Sequence, residues 1–270
     1  MRAPWMGSSL IVLFSLLAHG QNSVEPAIDK VLYFSQADGK TFMQQVSNAI
    51  RAVTDLPATM DLAQKSLALH GTTDQVEVAE WLFVQLDQAP SGQVPPPGRT
   101  VAGKTLPGRN GSPEPVEILY YPPASTPVQM QETVNTIRAI TEIVRLMPVP
   151  DQKAVALRGE ADRVALAEWL FGKLEPTENS TSTAPSEFHF PLANDPSHSD
   201  VTRIFYLPAT TTPQDLQKVV NEVRAATHVA RLMPAPKQHA LVLRATDSQV
   251  SGAAELIQKI ETPPAATGQK

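Results

Sequence analysis

Histidines and carboxylates are the side chains from which this sequence could assemble a reaction centre or a metal site. Beyond residue 20 the histidines are His70, His189, His198, His228 and His239. Of these, only His189 and His198 fall close together with a carboxylate, Asp195. Two imidazoles and a carboxylate can hold a divalent cation. These three, however, sit in a Pro-, Asn- and Ser-rich stretch that offers no rigid frame. No H-x-x-x-H or H-E-x-x-H occurs on a helical pattern, no G-x-S-x-G is present, and no phosphate-cradling glycine loop follows a strand pattern. Carboxylates are plentiful, but no two of them form a recognisable acid–base pair. Cysteine is absent, which removes disulfides, thiolate metal sites, a thiol nucleophile and a lipid-bearing N-terminal Cys. The expectation is a chain without catalytic residues, metal or cofactor, and so not an enzyme.

The polar residues that do recur form a motif, N-x-[IV]-R-A-x-T. It is written as NAIRAVT at Asn48, NTIRAIT at Asn135 and NEVRAAT at Asn221. On a helix, Asn48, Asn135 and Asn221 point away from the apolar face, and Arg51, Arg138 and Arg224 lie on its flank. A flanking arginine lays its stem on the core edge and pairs with a carboxylate. Asp87, Glu175 and Glu261, at the end of the following helix in each copy, are the candidate partners. Asp55 and Glu142, four residues beyond the arginines, are also suitably placed. The asparagines have no core duty; they mark either a shared contact surface or a shared ancestry.

The motif belongs to a unit repeated three times. Aligning Tyr33, Tyr120 and Tyr206 brings into line the strand patterns VLYF, ILYY and IFYL. A helix pattern follows, opened in the second unit by Thr126, Pro127 and Gln129 as N-cap, first helical residue and capping-box partner. Thr212 and Pro213 repeat the start; Gly39 and Lys40 make a weaker one. Then comes a hairpin pattern with a proline-containing turn, as in RLMPVPDQKAVALRG. DQVEVAEWLFVQLD, DRVALAEWLFGKLE and SQVSGAAELIQKIE close the units as second helices. The reading is α+β: three tandem βαββα (KH-like) modules of about 57 residues, each with two helices on a three-stranded sheet. The modules occupy 29–88, 116–176 and 201–262. Pro-, Gly-, Ser- and Thr-rich stretches at 89–115 and 177–200 read as extended linkers, and 263–270 as a loose tail. Within the second linker, FHFPL is suited to a local contact.

Residues 1–20 have the layout of a secretory signal peptide: Arg2, the apolar run LIVLFSLLA, and AHG before Gln21. That predicts cleavage before Gln21 and a periplasmic or secreted protein with no transmembrane segment after cleavage. Lys and Arg total 22 against 27 Asp and Glu, a net charge of −5, which argues against nucleic-acid binding. GRNG at Gly108–Gly111 is a G-x-x-G, but it lies between units and not between helices of one.

Trp81 and Trp169 face away from the core side of the second helices, flanked by Val78 and Val84 and by Leu166. The third unit has Gly252, Glu255 and Gln258 in these places. An outward tryptophan with apolar neighbours is a candidate contact surface, within the chain or with a partner. Stacked repeats also give this pattern, since terminal repeats present polar outer faces.

A tyrosine-bearing strand, a helix, a hairpin running into L-x-G or L-x-A, and a closing helix ending in LFVQLD, LFGKLE or LIQKIE together resemble the N-terminal repeated modules of bacterial secretins. Those proteins serve type II and III secretion and type IV pili. The resemblance implies a KH-like fold and periplasmic modules that build rings or bind secretion components. A secretin's C-terminal β-barrel domain has no counterpart before Lys270, so channel function is not expected. The functional expectation is an exported interaction or assembly protein, accessory to a secretion or pilus system. Its partners would be secretin or pilus components, or other copies of itself. The alternative is an envelope enzyme or ligand-binding protein with a polar pocket shared between units, holding His239 or another titratable group.

Overall fold

The computed structural model describes residues 27–35, 39–87, 100–175, 186–190, 200–210 and 212–262. The signal peptide expected at 1–20, Asp195, His198 and the tail at 263–270 lie outside the described residues.

The first unit runs β1 (Ile28–Tyr33), α1 (Lys40–Thr54), β2 (Ala58–Asp61), β3 (Ser66–Gly71) and α2 (Thr73–Leu86). The second is β4 (Thr100–Pro107), β5 (Pro113–Tyr120), α3 (Pro127–Thr141), β6 (Arg145–Val149), β7 (Ala154–Arg158) and α4 (Ala161–Leu174). The third repeats the second: β8 (Ser186–His189), β9 (Asp200–Tyr206), α5 (Pro213–Thr227), β10 (Arg231–Ala235), β11 (Ala240–Thr246) and α6 (Asp247–Glu261). All pairings are antiparallel, in the orders β1-β3-β2, β4-β5-β7-β6 and β8-β9-β11-β10.

Local chemistry sets the helix ends. Thr126 and Gln129 form a reciprocal capping box with Pro127 inside it, and Thr72/Gln75 and Thr246/Gln249 do the same. Gly39, without a side chain to offer, gives α1 no such bond. The first helix of each unit stops at a left-handed residue, Asp55, Glu142 or His228. GRNG makes the β4–β5 turn, where Gly111 takes a φ of 73° that most L residues avoid.

The second and third sheets each have one strand more than the three that the unit itself supplies. β4 and β8 come from the stretches read as linkers and pair with β5 and β9. The Gly and Pro of β4 are tolerable because it is an edge strand, as β8 is too. A second difference is the closeness of the units. The first apolar cluster joins the unit 1 core to Val116, Ile118, Tyr120, Val149, Ala154 and Ala156 of unit 2. The next joins the unit 2 core to Ile204, Ala235, Ala240 and Val242 of unit 3. In both, the helices of one unit cover the outer face of the next sheet, which is therefore buried on both sides. The three units form a stack and not beads on free tethers.

Candidate functional site

The repeated Arg of the N-x-[IV]-R-A-x-T motif ties the first helix to its own hairpin, and the repeated Thr bonds back within the helix. Arg51 Nε donates to the Ala58 carbonyl at 2.9 Å, Arg138 Nη2 to Leu146 at 2.9 Å and Arg224 Nη2 to Leu232 at 3.0 Å. Thr54, Thr141 and Thr227 each donate 2.7 Å bonds to the carbonyl one turn back. The ion pairs expected between these arginines and Asp87, Glu175 and Glu261 give way to backbone bonds, because the strand carbonyls lie beside the last helical turn. The carboxylates instead hold the loop after the unit's first strand. Asp87 accepts from the Ser35 amide at 2.7 Å, Glu175 from Ser125 Oγ at 3.4 Å as well as from Thr133 Oγ1 of α3 at 2.7 Å, and Glu261 from the Ala209 amide at 2.8 Å. Asn48, Asn135 and Asn221 are exposed, and the last two accept bonds from Gln131 and Gln217 one turn earlier.

The apolar back face of the second helices lies in the joints between units. Val78 and Leu166 are fully buried, Trp81 and Trp169 are half-buried, and Val84 is exposed. Trp81 lies on Gly103 of β4, where a Cβ would come within 2.6 Å of the indole. Trp169 packs its ring 5.7 Å from Phe188 of β8, which meets Phe190 at 5.8 Å. The strand that each linker adds to one sheet thus also covers the tryptophan of the preceding unit.

Beside the tryptophans, each joint is clamped by two arginines on the end of a helix. Arg145 Nε donates to Asp55 at 2.7 Å. Arg158 Nη1 reaches the Val53 carbonyl at 3.1 Å, Nη2 the Pro107 carbonyl at 2.7 Å, and Nε lies 2.7 Å from Glu114. At the second joint Arg231 meets Glu142 at 2.8 Å. Arg244 bonds the Ile140 carbonyl at 3.2 Å and Asp200 at 2.9 Å, and its guanidinium lies 4.0 Å above the Phe190 ring. Cations are favoured there because a helix C-terminus carries partial negative charge. Burial lowers the pKa of Arg158 and Arg244, an effect that Glu114 and Asp200 oppose. The sequence reading did not single out these arginines. The available signal was that RLMP and LR recur in units 2 and 3, while unit 1 has Pro57 and His70 at the matching positions.

Unit 1 therefore differs on its outer sheet face. Val31 is 48% and Tyr33 66% exposed, whereas Ile118 and Tyr120, their counterparts in unit 2, are 0% and 6% exposed. Asp29, Thr59, Asp61, Ala68 and His70, with the buried Ser66, complete this face, and Asp29 Oδ1 accepts from His70 Nδ1 at 2.7 Å. Among the described residues nothing lies over it, and nothing pairs with the outer edge of β1. At the opposite end of the stack, Glu222, Ala226 and Glu255 leave an exposed, polar helix surface.

On the inner side of the unit 2 sheet, Glu117 faces Glu168 of α4. Burial first, and then the Glu168 charge, push the Glu117 carboxyl up to about 7. Unit 1 has the ion pair Lys30–Glu80 in this place, at 2.6 Å. In unit 3 the position is Arg203, paired with Glu187 of β8 at 3.0 Å. His239 Nδ1 meets the Thr210 carbonyl at 3.1 Å, and the adjacent space between α3, α4 and the β10–β11 turn is about 10 Å³, room for one water at most. A wider, open groove of about 480 Å³ runs between α2 and β4, with the Lys104–Glu77 pair on its wall. Among the described residues no three His, Asp or Glu side chains converge as a metal site, and no helix is long and apolar enough to cross a membrane.

No family model matches the chain, and no curated protein matches it. Among solved structures, the chain is similar to Aeromonas hydrophila ExeD, with 12% identity, a TM-score of 0.21, and coverage of 88% of this chain and 41% of that one. The type II secretion system secretin GspD of E. coli K12 gives 12% identity and a TM-score of 0.20 over 88% of this chain and 39% of that one. A shorter structure, XcpQN012, is covered in full, again at 12% identity, with a TM-score of 0.25. The chain spans about two fifths of the length of the first of these secretins. At such scores the likeness carries no functional weight.

Proposed function

We propose that this chain is an exported protein-interaction protein of the cell envelope, acting by docking and not by turnover, in the service of a secretion or pilus assembly. The observation that supports this reading is the outer sheet face of unit 1. It presents Val31 and Tyr33 to solvent at the positions that unit 2 buries, and unit 3 buries or half-buries, against a neighbour. Tyrosine is among the residues enriched in binding hot spots, and this one stands exposed beside an apolar neighbour. Envelope location rests on the signal-peptide pattern at 1–20.

The test is crosslinking in the producing cell with the full chain and with Tyr33→Glu and Val31→Lys variants. Loss of a discrete set of crosslinked partners in the variants supports the reading, with the thermal midpoint unchanged. An unchanged partner set overturns it. The N-terminal sequence of the protein recovered from the envelope fraction is expected to begin at Gln21; recovery only from the cytosol with Met1 intact refutes export.

A further inference from the structure

Both joints show what the outer face of such a sheet accepts. In each it receives the first helix of the preceding unit along a stripe spaced by four residues. The stripe is Gln45, Ala49 and Val53 at the first joint, where Gln45 Oε1 accepts from the Asp151 amide at 3.1 Å and the Val53 carbonyl accepts from Arg158. At the second it is Glu132, Thr136 and Ile140, where the Ile140 carbonyl accepts from Arg244. The helix then ends in a carboxylate, Asp55 or Glu142, held by sheet arginines.

Register carries these positions onto unit 1 residue by residue. Val31 stands where Ile118 and Ile204 do, and Tyr33 where Tyr120 and Tyr206 do. Thr59 replaces the larger Met147 and Met233 at the centre of the face. The charge is inverted. Pro57 and His70 replace the arginine pairs, and two carboxylates, Asp29 and Asp61, appear where units 2 and 3 have Val116 and Thr202, and Val149 and Ala235. Asp61 is fixed at the rim, its Oδ1 accepting from the amides of Ala63 and Gln64 at 2.8 and 3.0 Å. A helix ending in a carboxylate, as α1 and α3 do, would meet like charge here.

We propose that the bare face of unit 1 receives a basic amphipathic helix of another protein, laid across β1, β3 and β2 with a bulky apolar side chain over Thr59 and Lys or Arg opposite Asp29 and Asp61. This rests on the docking role proposed above. Continuity with the two joints supplies the helix, the smaller Thr59 supplies the room, and the inverted charge supplies the basic partner. A second copy fits less well. Its α5 brings Lys218 to the position of Gln45 and Glu132 and His228 to that of Asp55 and Glu142, but it puts Glu222 at the position of Ala49 and Thr136, an acid in the middle of the contact.

The test is selection on immobilised full-length chain from a displayed library of helix-forming peptides about 20 residues long, randomised on one stripe and its flanks. Enriched peptides are expected to carry Leu or Ile along the stripe and Lys or Arg beside it. Their affinity is expected to fall by about tenfold or more against Tyr33→Glu and against Asp29→Lys/Asp61→Lys, and to weaken with added salt. Failure to enrich, enrichment of acidic or extended sequences, or equal binding to Tyr33→Glu overturns the proposal. Concentration-dependent self-association that Tyr33→Glu abolishes assigns the face to a second copy, and also overturns it. The two readings separate: if crosslinks in the cell are lost with Tyr33→Glu while no basic helix is enriched, docking stands and its occupant is wrong. If the crosslinks persist, the docking role itself is wrong.

Discussion

Glu117→Gln tests the electrostatics of unit 2 most sharply. Glu117 is 8% exposed and its carboxyl is pushed from the usual 4.5 to about 7, chiefly by burial and then by the facing Glu168. The folded chain thus holds this proton more tightly than the unfolded chain does. By linkage, the stabilisation is complete below the unfolded value and is lost as pH rises through the window from 4.5 to about 7. The size follows from that shift at 1.36 kcal/mol per unit, about 3 kcal/mol as an upper figure. Glutamine keeps the shape and removes the titration. Urea unfolding of parent and variant, followed by circular dichroism between about pH 4.5 and pH 8, should show the parent losing up to about 3 kcal/mol relative to the variant. Glu117→Lys, which recreates the Lys30–Glu80 arrangement of unit 1, should gain most at the alkaline end. Parallel pH profiles for parent and Glu117→Gln would refute the reasoning.

Other substitutions address the joints and the repeated motif. Gly103→Val should cost about 1–3 kcal/mol by forcing a side chain between β4 and the indole of Trp81. In a Trp5→Phe/Trp169→Phe background the remaining indole should become more accessible to acrylamide; unchanged quenching would contradict the contact. Arg158→Ala should destabilise by about 3 kcal/mol, because it strips the buried Glu114 of its nearest cation, and Glu114→Gln in the same chain should recover part of that in denaturant titrations. Thr141→Val should cost about 1–2 kcal/mol in urea unfolding, through loss of the buried bonds to the Ile137 carbonyl and the Ile143 amide.

The sequence revealed those parts of the structure whose cause is local. Thr126, Pro127 and Gln129 announce the start of α3 because a capping box is made from neighbours in the chain. The apolar stripes of all six helices are likewise short-range patterns. β4 and β8 escaped notice because what makes them strands is distant. TVAGKTLP contains the glycine and proline that punctuate loops, and only the open edge of β5 and the indole of Trp81 give it a place. The outward face of Trp81, Val78, Leu166 and Trp169 was visible from helical geometry, but periodicity says which way a side chain points and not what meets it. The same limit applies to Arg51, Arg138 and Arg224. Their flank position was legible, while their partner, a strand carbonyl seven or eight residues on, depends on how the hairpin folds back.

One asymmetry separates the units: the same sheet face is covered in units 2 and 3 and, among the described residues, bare in unit 1. Hydroxyl-radical footprinting of the intact chain reads it directly from equivalent tyrosines. Tyr33 at 66% exposure should be oxidised roughly tenfold faster than Tyr120 at 6%, with Tyr206 between them. Equal rates at Tyr33 and Tyr120 would mean that the units do not stack as described, or that the face of unit 1 is already occupied within the chain.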